Sequence, residues 1–366
     1  MMRSVNSMRL ATVIGNRPQF VKAAAVSKVV REQHEELLVH TGQHYDDDLS
    51  RIFFEELGIP PPARQLGVGS ASLTSQTARM LAALEPELEA LEPDLVLVYG
   101  DTNSTLAGAL AAAQRRIPVA HVEAGMRSFD RAMPEELNRV LTDHASELLL
   151  CSTETAVENL AAEGIADDVH LVGDVMADVA LTFAPVAERH STALQDQGVE
   201  PGGFLLVTAH RAGNVDDPAR LARLVELLEA LPLPTVFPLH PRTRARLEAA
   251  DLLARLEAAA DMRLVPPLGY LDFLTLARAA RAILTDSGGV QKEAYLLGTP
   301  CVTLRDTTEW VETLDAGWNV LVDLDRDAAL AAIERPPPAT ERPELYGGGR
   351  AAERIRDILA AYTPRR

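Results

Sequence analysis

Acidic side chains follow two apolar, strand-like runs in the first half of the sequence. Asp101 lies in GDTNSTLAG, residues 100–108, after one aliphatic run, and Glu123 lies in HVEAG after the next. Glu135 opens a helical pattern behind Pro134. Carboxylates gathered at neighbouring strand ends raise one another's pKa, as groups that transfer protons require. The alternative is that Asp101 and Glu135 are ordinary helix-start residues that favour the helix dipole.

A glycine-rich segment in the second half is typical of phosphate binding. In DSGGVQKEA, residues 286–294, Ser287, Gly288 and Gly289 stand between a strand and a helix. Bare backbone N–H groups and the helix dipole attract an anion there, and Glu293 is placed to reach ribose hydroxyls. A plain serine cap with a tight turn explains the local pattern equally well. The glycine spacing matches neither an NAD site nor a P-loop.

Two further segments place cations directly after predicted strands. GNRPQFVK, residues 15–22, has a glycine that allows a sharp exit, a proline that starts a helix, and the side chains of Arg17 and Lys22. Arginine geometry suits a diphosphate. In VTAHRAGN, residues 207–214, His210 is placed to face a diphosphate or to donate a proton. A solvated turn and a structural histidine are the competing interpretations.

The segment HTGQHYDDD has the residue types of a metal site. It contains His40, His44 and Asp46, Asp47 and Asp48. No matching ligand set occurs elsewhere at standard spacing, so we interpret the segment as a solvated acidic turn. The sequence therefore predicts no metal.

Composition excludes several classes of partner. The 366 residues carry a net charge of −18, which repels nucleic acid and anionic lipid and means that a phosphate ligand needs a locally positive pocket. Cys151 and Cys301 are far apart and predict reduced thiols. No apolar run has the length of a membrane span, and the first ten residues lack a signal-peptide core. We expect a cytoplasmic protein with no nucleic-acid or membrane partner.

Short aliphatic runs alternate with Ala/Leu-rich helical patterns along nearly the whole chain. This alternation predicts an α/β fold with parallel sheets covered on both faces. A single sheet of about a dozen strands is rare, so we expect two sheets of about six strands. The predicted strands are, in order, RLATVIG, ELLVHTG, DLVLVYGD, PVAHVEAG, ELLLCST, VHLVGD, FLLVTAHR, TVFPLHP, MRLVPPLGY, AILTDSGG, PCVTLRD and NVLVDLD.

We predict two Rossmann-like domains that face each other across a cleft. Residues 8–175 form the first domain, residues 176–348 form the second, and a last helix lies within residues 349–366. Ligands of such sheets bind at the carboxyl ends of the strands, where charged, hydroxyl and glycine residues follow nearly every predicted strand. The sequence therefore indicates a large polar ligand held between the domains.

Taken together, the motifs resemble those of the non-hydrolysing UDP-N-acetylglucosamine 2-epimerases over nearly the whole chain. G-x-R-P-x-x-x-K, GDTxSTLAG, HVEAGxRS, PEExNR, TxHR, LTDSGGxQxEA and RDxTE occur in that family's order. The resemblance implies a glycosyltransferase-B type fold in which the last helix, 349–366, crosses back onto the first domain. It also implies a UDP-sugar substrate, no metal or redox cofactor, and a homodimer.

The resemblance also implies roles for individual residues. In the first domain the catalytic carboxylates are Asp101, Glu123 and Glu135. In the second, UDP-binding domain, His210 contacts the diphosphate or takes part in catalysis. The residues implied in binding substrate or UDP are Arg17, Lys22, Arg139, Tyr270, Phe273, Ser287, Gly288, Gly289 and Glu293. Of these, Tyr270 and Phe273 fall where the family packs the uracil ring.

Three departures from the family pattern leave the sugar open. GNRPQF stands in place of GTRPE, HRAGN in place of HRRE, and Trp310 in place of the usual arginine after RDTTE. These variants look more like the branch that acts on UDP-2,3-diacetamido-2,3-dideoxyglucuronate, an intermediate of some bacterial surface polysaccharides. More distant alternatives are a UDP-sugar glycosyltransferase, a hydrolysing epimerase and a UDP-sugar sensor without activity.

The implied reaction explains why the site needs both carboxylates and cations. The hydrogen on C2 of an N-acetylhexosamine is not acidic, because no carbonyl neighbours it. Loosening of the C1–O bond to UDP creates positive charge at C1 and acidifies C2. A carboxylate then takes the proton, UDP leaves, and a 2-acetamidoglucal remains. Return of UDP and of a proton to the opposite face completes the inversion, while cations and helix N-termini hold the leaving group.

Overall fold

The structure, a computed structural model, describes residues 7–43, 58–339 and 341–363, and of Arg17 only the backbone. The chain divides into two compact units. The first comprises Met1–Thr182 together with Glu344–Arg366, and the second comprises Phe183–Pro343. The division falls inside the helix Val175–His190, whose first residue coincides with the end of the first predicted domain.

The first unit is built on a sheet of seven strands. Its order is β3-β2-β1-β4-β5-β6-β7, and every described pairing is parallel. The strands are β1 (Arg9–Ile14), β2 (Glu35–His40), β3 (Arg64–Gln65), β4 (Leu95–Tyr99), β5 (Val119–Ala124), β6 (Leu148–Cys151) and β7 (Val169–Leu171). The helices are α1 (Arg17–Val30), α2 (Leu73–Leu91), α3 (Asn103–Gln114), α4 (Pro134–Ala145), α5 (Glu154–Ala162), α6 (Val175–His190) and, at the C-terminal end, α16 (Ala351–Ala361).

The second unit repeats the plan with a parallel sheet of six strands. Its order is β10-β9-β8-β11-β12-β13. The strands are β8 (Leu205–Thr208), β9 (Thr235–Pro238), β10 (Met262–Val265), β11 (Ala282–Thr285), β12 (Cys301–Thr303) and β13 (Asn319–Leu321). The helices are α7 (Ala193–Gln197), α8 (Ala212–Val215), α9 (Pro218–Glu229), α10 (Pro241–Ala249), α11 (Leu253–Ala258), α12 (Tyr270–Ala279), α13 (Gly288–Leu297), α14 (Val311–Asp315) and α15 (Arg326–Glu334).

The predicted α/β class with two parallel sheets is confirmed, and each of the twelve predicted runs contains a strand. The first sheet has one strand more than expected, because the two-residue β3 joins its edge. Both residues of β3 are exposed, so no apolar run marks the strand in the sequence.

Both faces of each sheet are covered, as near-continuous apolar strands predict. In β8, Leu205 and Val207 belong to one buried cluster, whereas Leu206 belongs to the cluster on the opposite face. Cys151 and Cys301 are buried free thiols, and burial raises the pKa of each to about 12. In the described part of the chain, no helix is long and apolar enough to cross a membrane.

Local signals explain where the helices begin. The side chain of Asn16 caps α1, and Pro18 occupies its first turn. Thr102 and Thr105 form a reciprocal capping box at the start of α3. Each cap follows closely on a strand, so the helix N-termini lie at the carboxyl ends of the strands.

The C-terminal helix α16 is tied to the first unit. Asp178 of α6 accepts hydrogen bonds from the backbone N–H groups of Ala351 and Ala352, at 3.0 and 2.8 Å. Burial raises the pKa of Asp178, against the opposing effect of these hydrogen bonds. Arg354 donates to the carbonyl oxygen of Val172 at 2.8 Å. These bonds attach both the start and the first turn of α16 to the segment after β7.

Candidate active site

The strand order determines where each unit can bind a ligand. In the first sheet β1 lies between β2 and β4, and in the second sheet β8 lies between β9 and β11. Where the strand order reverses, the connections that follow two adjacent strands run in opposite directions. The gap between these connections is the usual ligand site of a doubly wound sheet. The segments after β1, β4, β8 and β11 are those in which the sequence predicts site residues.

Asp101 lies at the end of β4 and is paired with a cation. Its Oδ2 atom accepts a hydrogen bond from Arg139 Nη2 at 2.6 Å. The amide of Asn138 donates to the backbone oxygen of Asp101 at 3.0 Å and to Asn103 Oδ1 at 3.2 Å. Helix α4 therefore fixes both the backbone and the carboxylate of this residue.

Glu123 lies in an irregular part of β5. The pairing with β6 shifts register between Val122 and Ala124, and Glu123 has a φ of +74°, which is uncommon and costly for a residue other than glycine. Its carboxylate forms an ion pair with Lys22 of α1, and both side chains are largely buried. The Glu123 side chain lies close to Gly100. A Cβ added to Gly100 would be 3.2 Å from Glu123 Oε2.

These pairings differ from the expectation that the carboxylates crowd one another. Asp101 faces Arg139 and Glu123 faces Lys22, so each carboxylate is held beside a cation. Opposite charges favour the ionised form. Lys22, implied as a diphosphate ligand, contacts Glu123 here.

Two adjacent glutamates at the start of α4 have different environments. Glu135 is exposed, and among the described residues it bonds to neither Asp101 nor Glu123. Glu136 is buried and accepts hydrogen bonds from the backbone N–H and the hydroxyl of Ser128, at 2.8 and 2.9 Å. Glu136 therefore organises the loop, and Glu135 is available to solvent.

A charged network that the sequence did not assign lies behind these residues. Arg127 forms paired hydrogen bonds with Glu163, at 2.7 and 2.8 Å, and donates to Asp143 at 2.7 Å. Asp143 also accepts a hydrogen bond from the backbone N–H of Gly125 at 3.1 Å and contacts His121 at 2.6 Å. The density of opposed charges between residues 121 and 139 was a usable signal, because such charges buried beneath a strand end must be paired.

The glycine after β1 has a different role from the predicted one. A Cβ at Gly15 would lie 2.1 Å from Ser104 Oγ and 2.2 Å from Thr41 Oγ1, and these two hydroxyls are 2.8 Å apart. Gly15 is therefore required by close packing of the ends of β2 and α3. Its N–H donates to Gln19 Oε1 at 2.8 Å.

In the second unit a buried carboxylate shapes the loop after β8. Asp286 is fully buried and accepts hydrogen bonds from the backbone N–H groups of His210 and Arg211, at 3.0 to 3.1 Å, and from the Asn214 amide at 3.2 Å. The ring of His210 is partly exposed and stacks on His240. Burial lowers the pKa of His210, opposed by Asp286 and assisted by Arg211. His210 is therefore mainly a neutral imidazole near pH 7.

The predicted phosphate segment opens helix α13. Ser287 is the N-cap residue, and its side chain makes no capping hydrogen bond. A Cβ at Gly288 would lie 2.7 Å from Glu309 Oε1 and 3.2 Å from Trp310 Nε1, whereas one at Gly289 would lie 3.9 Å from the nearest atom. A Cβ at Gly288 would therefore displace the Glu309 carboxylate, and the start of α13 has the form of an anion site.

Glu309 lies beside this helix start together with two arginines. Its carboxylate contacts Arg305 at 2.8 Å and Arg211 at 3.4 Å. Burial alone would raise the pKa of Glu309, but the arginine charges lower it below the ordinary value. Two arginines in this acidic chain supply the locally positive surface that a phosphate ligand needs.

The residues implied in uracil and ribose binding lie on α12 and α13. Tyr270 is buried, and burial together with the charge of Glu293 raises the pKa of its hydroxyl. Glu293 is itself buried within α13. Phe273 is partly buried and packs against the apolar core of the second unit. Tyr270 and Glu293 are thus neighbours, whereas Phe273 also has a packing role.

Some sequence predictions fall outside the described residues. His44, Asp46, Asp47 and Asp48 lie there, and so does the side chain of Arg17. His40 is described, and its Nδ1 accepts a hydrogen bond from the N–H of Gly42 at 3.0 Å.

Comparison with known proteins adds a family to this geometry. A family model described as UDP-N-acetylglucosamine 2-epimerase matches residues 28–360. A Methanococcus maripaludis relative, a UDP-N-acetylglucosamine 2-epimerase homolog, is 47% identical over 354 residues, which cover 96% of this chain and 99% of the relative. The UDP-2,3-diacetamido-2,3-dideoxy-D-glucuronate 2-epimerase of Pseudomonas aeruginosa is 48% identical over 364 residues, with the same coverage.

Solved structures agree with this similarity. The crystal structure of Methanocaldococcus jannaschii UDP-GlcNAc 2-epimerase in complex with UDP-GlcNAc and UDP matches with a TM-score of 0.90 at 41% identity, covering 97% of this chain and 100% of that one. The Neisseria meningitidis UDP-GlcNAc 2-epimerase bound to UDP-GlcNAc matches with a TM-score of 0.86 at 30% identity and the same coverage.

Proposed function

Because the chain belongs to the UDP-N-acetylglucosamine 2-epimerase family, a family of isomerases, we propose that it interconverts UDP-N-acetylglucosamine and UDP-N-acetylmannosamine. Relatives named for that reaction are 41% and 42% identical over most of their length. The reaction inverts C2 by elimination and re-addition of UDP.

The observation that carries this proposal is the pair of carboxylates at neighbouring strand ends. Asp101 follows β4 and Glu123 lies near the end of β5, and these two strands are hydrogen-bonded neighbours in parallel register. Each carboxylate is held in place by a cation, Asp101 by Arg139 and Glu123 by Lys22. A base on one face of C2 and an acid on the other are what inversion requires.

The proposed proton and electron transfers balance within the substrate and these side chains. The C2–H bond breaks, a carboxylate takes the proton, and the C–H electron pair forms the C1=C2 double bond of the glucal. The C1–O pair leaves with UDP. In the return step UDP re-forms the C1–O bond, and C2 receives a proton on its opposite face. We assign these transfers to Asp101, Glu123 and Glu135 without specifying which residue acts on which face of C2.

The second unit supplies the residues that we assign to the nucleotide. The N–H groups at Ser287, Gly288 and Gly289 and the positive end of the α13 dipole stabilise the diphosphate as a leaving group. The neutral imidazole of His210 can donate a hydrogen bond to a phosphate oxygen. Glu293 is assigned to the ribose hydroxyls, and Tyr270 and Phe273 to the uracil.

We assign Lys22 and Arg139 to binding of the substrate or UDP. Both are already ion-paired, Lys22 with Glu123 and Arg139 with Asp101. Lysine and arginine side chains are ordinary ligands of phosphate oxygens.

A second candidate substrate is UDP-2,3-diacetamido-2,3-dideoxyglucuronate. The named relative from Pseudomonas aeruginosa is 48% identical, and this chain has Trp310 where the common pattern has arginine. Trp310 is buried, and the ammonium of Lys292 lies 4.3 Å from the centre of its ring. This cation–π contact places a charged ammonium against the ring at the position where the common pattern has arginine.

Proton NMR with the two UDP-sugars tests the proposal. Incubation with UDP-N-acetylglucosamine alone should yield the C2 epimer at equilibrium, with no free N-acetylmannosamine. A faster reaction with the diacetamido uronate would transfer the assignment to the second candidate. Turnover that requires an acceptor would instead identify a glycosyltransferase, and release of free sugar a hydrolysing epimerase.

We also propose a cytoplasmic homodimer that supplies sugars for surface polysaccharides. Exposed apolar side chains on α4 and in the loop before it support the dimer. Leu137 and Leu141 lie one turn apart on α4 and are exposed, and Phe129 in the preceding loop is 77% exposed. Light scattering coupled to gel filtration tests this, with Leu137→Glu expected to yield monomers and a monomeric wild type contradicting it.

A further inference from the structure

His121 is a buried histidine of β5 whose two ring nitrogens both face hydrogen-bond acceptors. Nδ1 lies 2.6 Å from Asp143 Oδ1, and Nε2 lies 2.7 Å from the carbonyl oxygen of Gly100. A carbonyl oxygen cannot donate, and neither can an ionised carboxylate, so both nitrogens must carry protons. We propose that His121 is an imidazolium cation that positions the Gly100–Asp101 strand end for catalysis.

The charge balance of the network requires that cation. Asp143 Oδ2 accepts hydrogen bonds from Arg127 Nη1 at 2.7 Å and from the backbone N–H of Gly125 at 3.1 Å, and these donors favour the ionised carboxylate without any contribution from His121. Asp143 and Glu163 supply two negative charges, and Arg127 supplies one positive charge. With a neutral His121 the two carboxylates would share one arginine, whereas a cationic His121 gives Asp143 a second positive partner. The exposed His144 is the remaining partner of Glu163.

Other described histidines show the opposite arrangement. Nδ1 of His34 accepts a hydrogen bond from the backbone N–H of Met8 at 3.2 Å, and Nδ1 of His40 accepts one from Gly42 at 3.0 Å. A nitrogen that accepts a hydrogen bond carries no proton. These histidines are therefore neutral, and they serve as internal references for His121.

The bond to Gly100 fixes the residues that we assign to catalysis. The N–H of Gly100 donates to the carbonyl oxygen of Val122 at 3.0 Å, and its carbonyl accepts from His121. Its Cα faces the Glu123–Lys22 pair, which an added Cβ would approach to 3.2 and 3.3 Å. The two peptide groups that flank Gly100 are thus both held: the one before it by Val122, and the peptide plane that leads into Asp101 by His121. His121 acts through this plane and is a positioning residue.

Nitrogen-15 NMR of the imidazole rings in the full-length protein tests the charge directly. At about pH 7.5 an unperturbed histidine, with a pKa of about 6.5, is mostly neutral. We expect both nitrogens of His121 to show the shifts of protonated sites, while His34 and His40 each show one unprotonated nitrogen. The His121 signals are assigned by their loss in His121→Gln, or by elimination with the other histidine variants if that protein does not fold. An unprotonated nitrogen at His121 overturns the proposal.

A kinetic measurement tests the positioning role, and it rests on the proposed function. Small misplacements of reacting groups cost up to about 100-fold in rate, so we expect His121→Gln to lower kcat roughly 10- to 100-fold. We expect the Kd for UDP, measured by calorimetry, to stay within about twofold because the assigned nucleotide ligands are intact. His144→Gln is the matched control and should retain wild-type kcat. Unchanged kcat per folded molecule in His121→Gln would show a structural role only and overturn the positioning role.

The two measurements separate failure of this inference from failure of the proposed function. If the wild-type protein epimerises neither UDP-sugar, the proposed function fails, while the NMR result still decides the charge of His121. If His121→Gln loses kcat but the His121 ring of the wild-type protein is neutral, the proposal that His121 is a cation is overturned.

Discussion

The adjacent glutamates of α4 provide a matched pair of substitutions with opposite expected outcomes. Glu136→Gln should destabilise the protein, whereas Glu135→Gln should leave stability unchanged and abolish most turnover. Both residues stand in the first turn of the same helix, so helix propensity and dipole effects are nearly equal. Only their surroundings differ, because Glu136 is buried and Glu135 is exposed.

The magnitude for Glu136 follows from its hydrogen bonds. The carboxylate accepts from Ser128 N at 2.8 Å, Ser128 Oγ at 2.9 Å, Phe129 N at 3.0 Å and Arg139 Nη1 at 3.1 Å. Glutamine keeps one carbonyl oxygen and turns an NH₂ group toward donors. Hydrogen bonds to charged groups contribute about 1.5–3 kcal/mol each, so the loss with partial relaxation is roughly 2–4 kcal/mol. For a unit of this size that corresponds to a fall of about 5–15 °C in melting temperature.

Thermal denaturation of both variants, combined with kcat, gives the comparison. Glu135→Gln should remain within about 0.5 kcal/mol of wild type, as is usual for exposed sites. Its kcat should fall about 10²–10⁴-fold if Glu135 transfers a proton. Because the two units can unfold separately, the melting transition of the first unit is the one to follow.

The pH dependence provides a second check on Glu136. Burial alone would raise its pKa, but the hydrogen bonds from Ser128, Phe129 and Arg139 lower it below the ordinary value. A carboxyl group with a lowered folded-state pKa stabilises the protein above its unfolded-state pKa and loses that contribution as the pH falls through the folded-state pKa. The stability difference between wild type and Glu136→Gln should therefore shrink in acid. Equal stability of both variants at neutral pH would refute the assignment of Glu136 as the structural member of the pair.

Three further predictions concern other parts of the chain. Asp101→Asn should lower kcat about 10²–10⁴-fold with the Kd for UDP within about twofold; wild-type turnover would remove Asp101 from the mechanism. Gly288→Ala should weaken UDP binding at least about tenfold, because its Cβ would lie 2.7 Å from Glu309 Oε1. Gly289→Ala, the matched control, should bind normally, and equal affinities in calorimetry would contradict the steric argument. Asp178→Ala removes the cap of α16 and should cost about 1–2 kcal/mol in a denaturant titration; an unchanged midpoint would show that the cap contributes nothing.

The strands were predictable because burial on both faces leaves a simple pattern. All five residues of β4, Leu95–Tyr99, are buried and aliphatic or aromatic, and no helix face produces such a run. The two residues of β3, Arg64 and Gln65, carry no comparable signal, since both are polar and exposed. The positions of Asp101, His210 and Ser287 at strand ends were predictable for the same reason, because each follows a recognisable strand.

The partners of the site residues were not predictable. Lys22 and Glu123 are 101 positions apart, and Asp101 and Arg139 are 38 apart. Local patterns show which residues stand at strand ends but not which side chains from neighbouring helices reach them. The sequence therefore predicted carboxylates that face each other, and the structure instead pairs each with a cation.

The backbone geometry of the site was also not predictable from the sequence. The positive φ of Glu123 and the bulge in β5 depend on how β5 pairs with β6, which single-sequence patterns do not encode. Gly15 suggested a sharp exit, whereas its role is to admit the hydroxyls of Thr41 and Ser104. The charge of His121 likewise depends on two acceptors contributed by other elements.

We propose that carboxylates at the strand ends remove the C2 proton of a UDP-sugar as UDP departs. Proton NMR of UDP-N-acetylglucosamine incubated with the enzyme in deuterated buffer measures this step. We expect the C2 proton signal to disappear as deuterium enters that position, and we expect Asp101→Asn to lose this exchange. Formation of the epimer with the original hydrogen retained at C2 would contradict it.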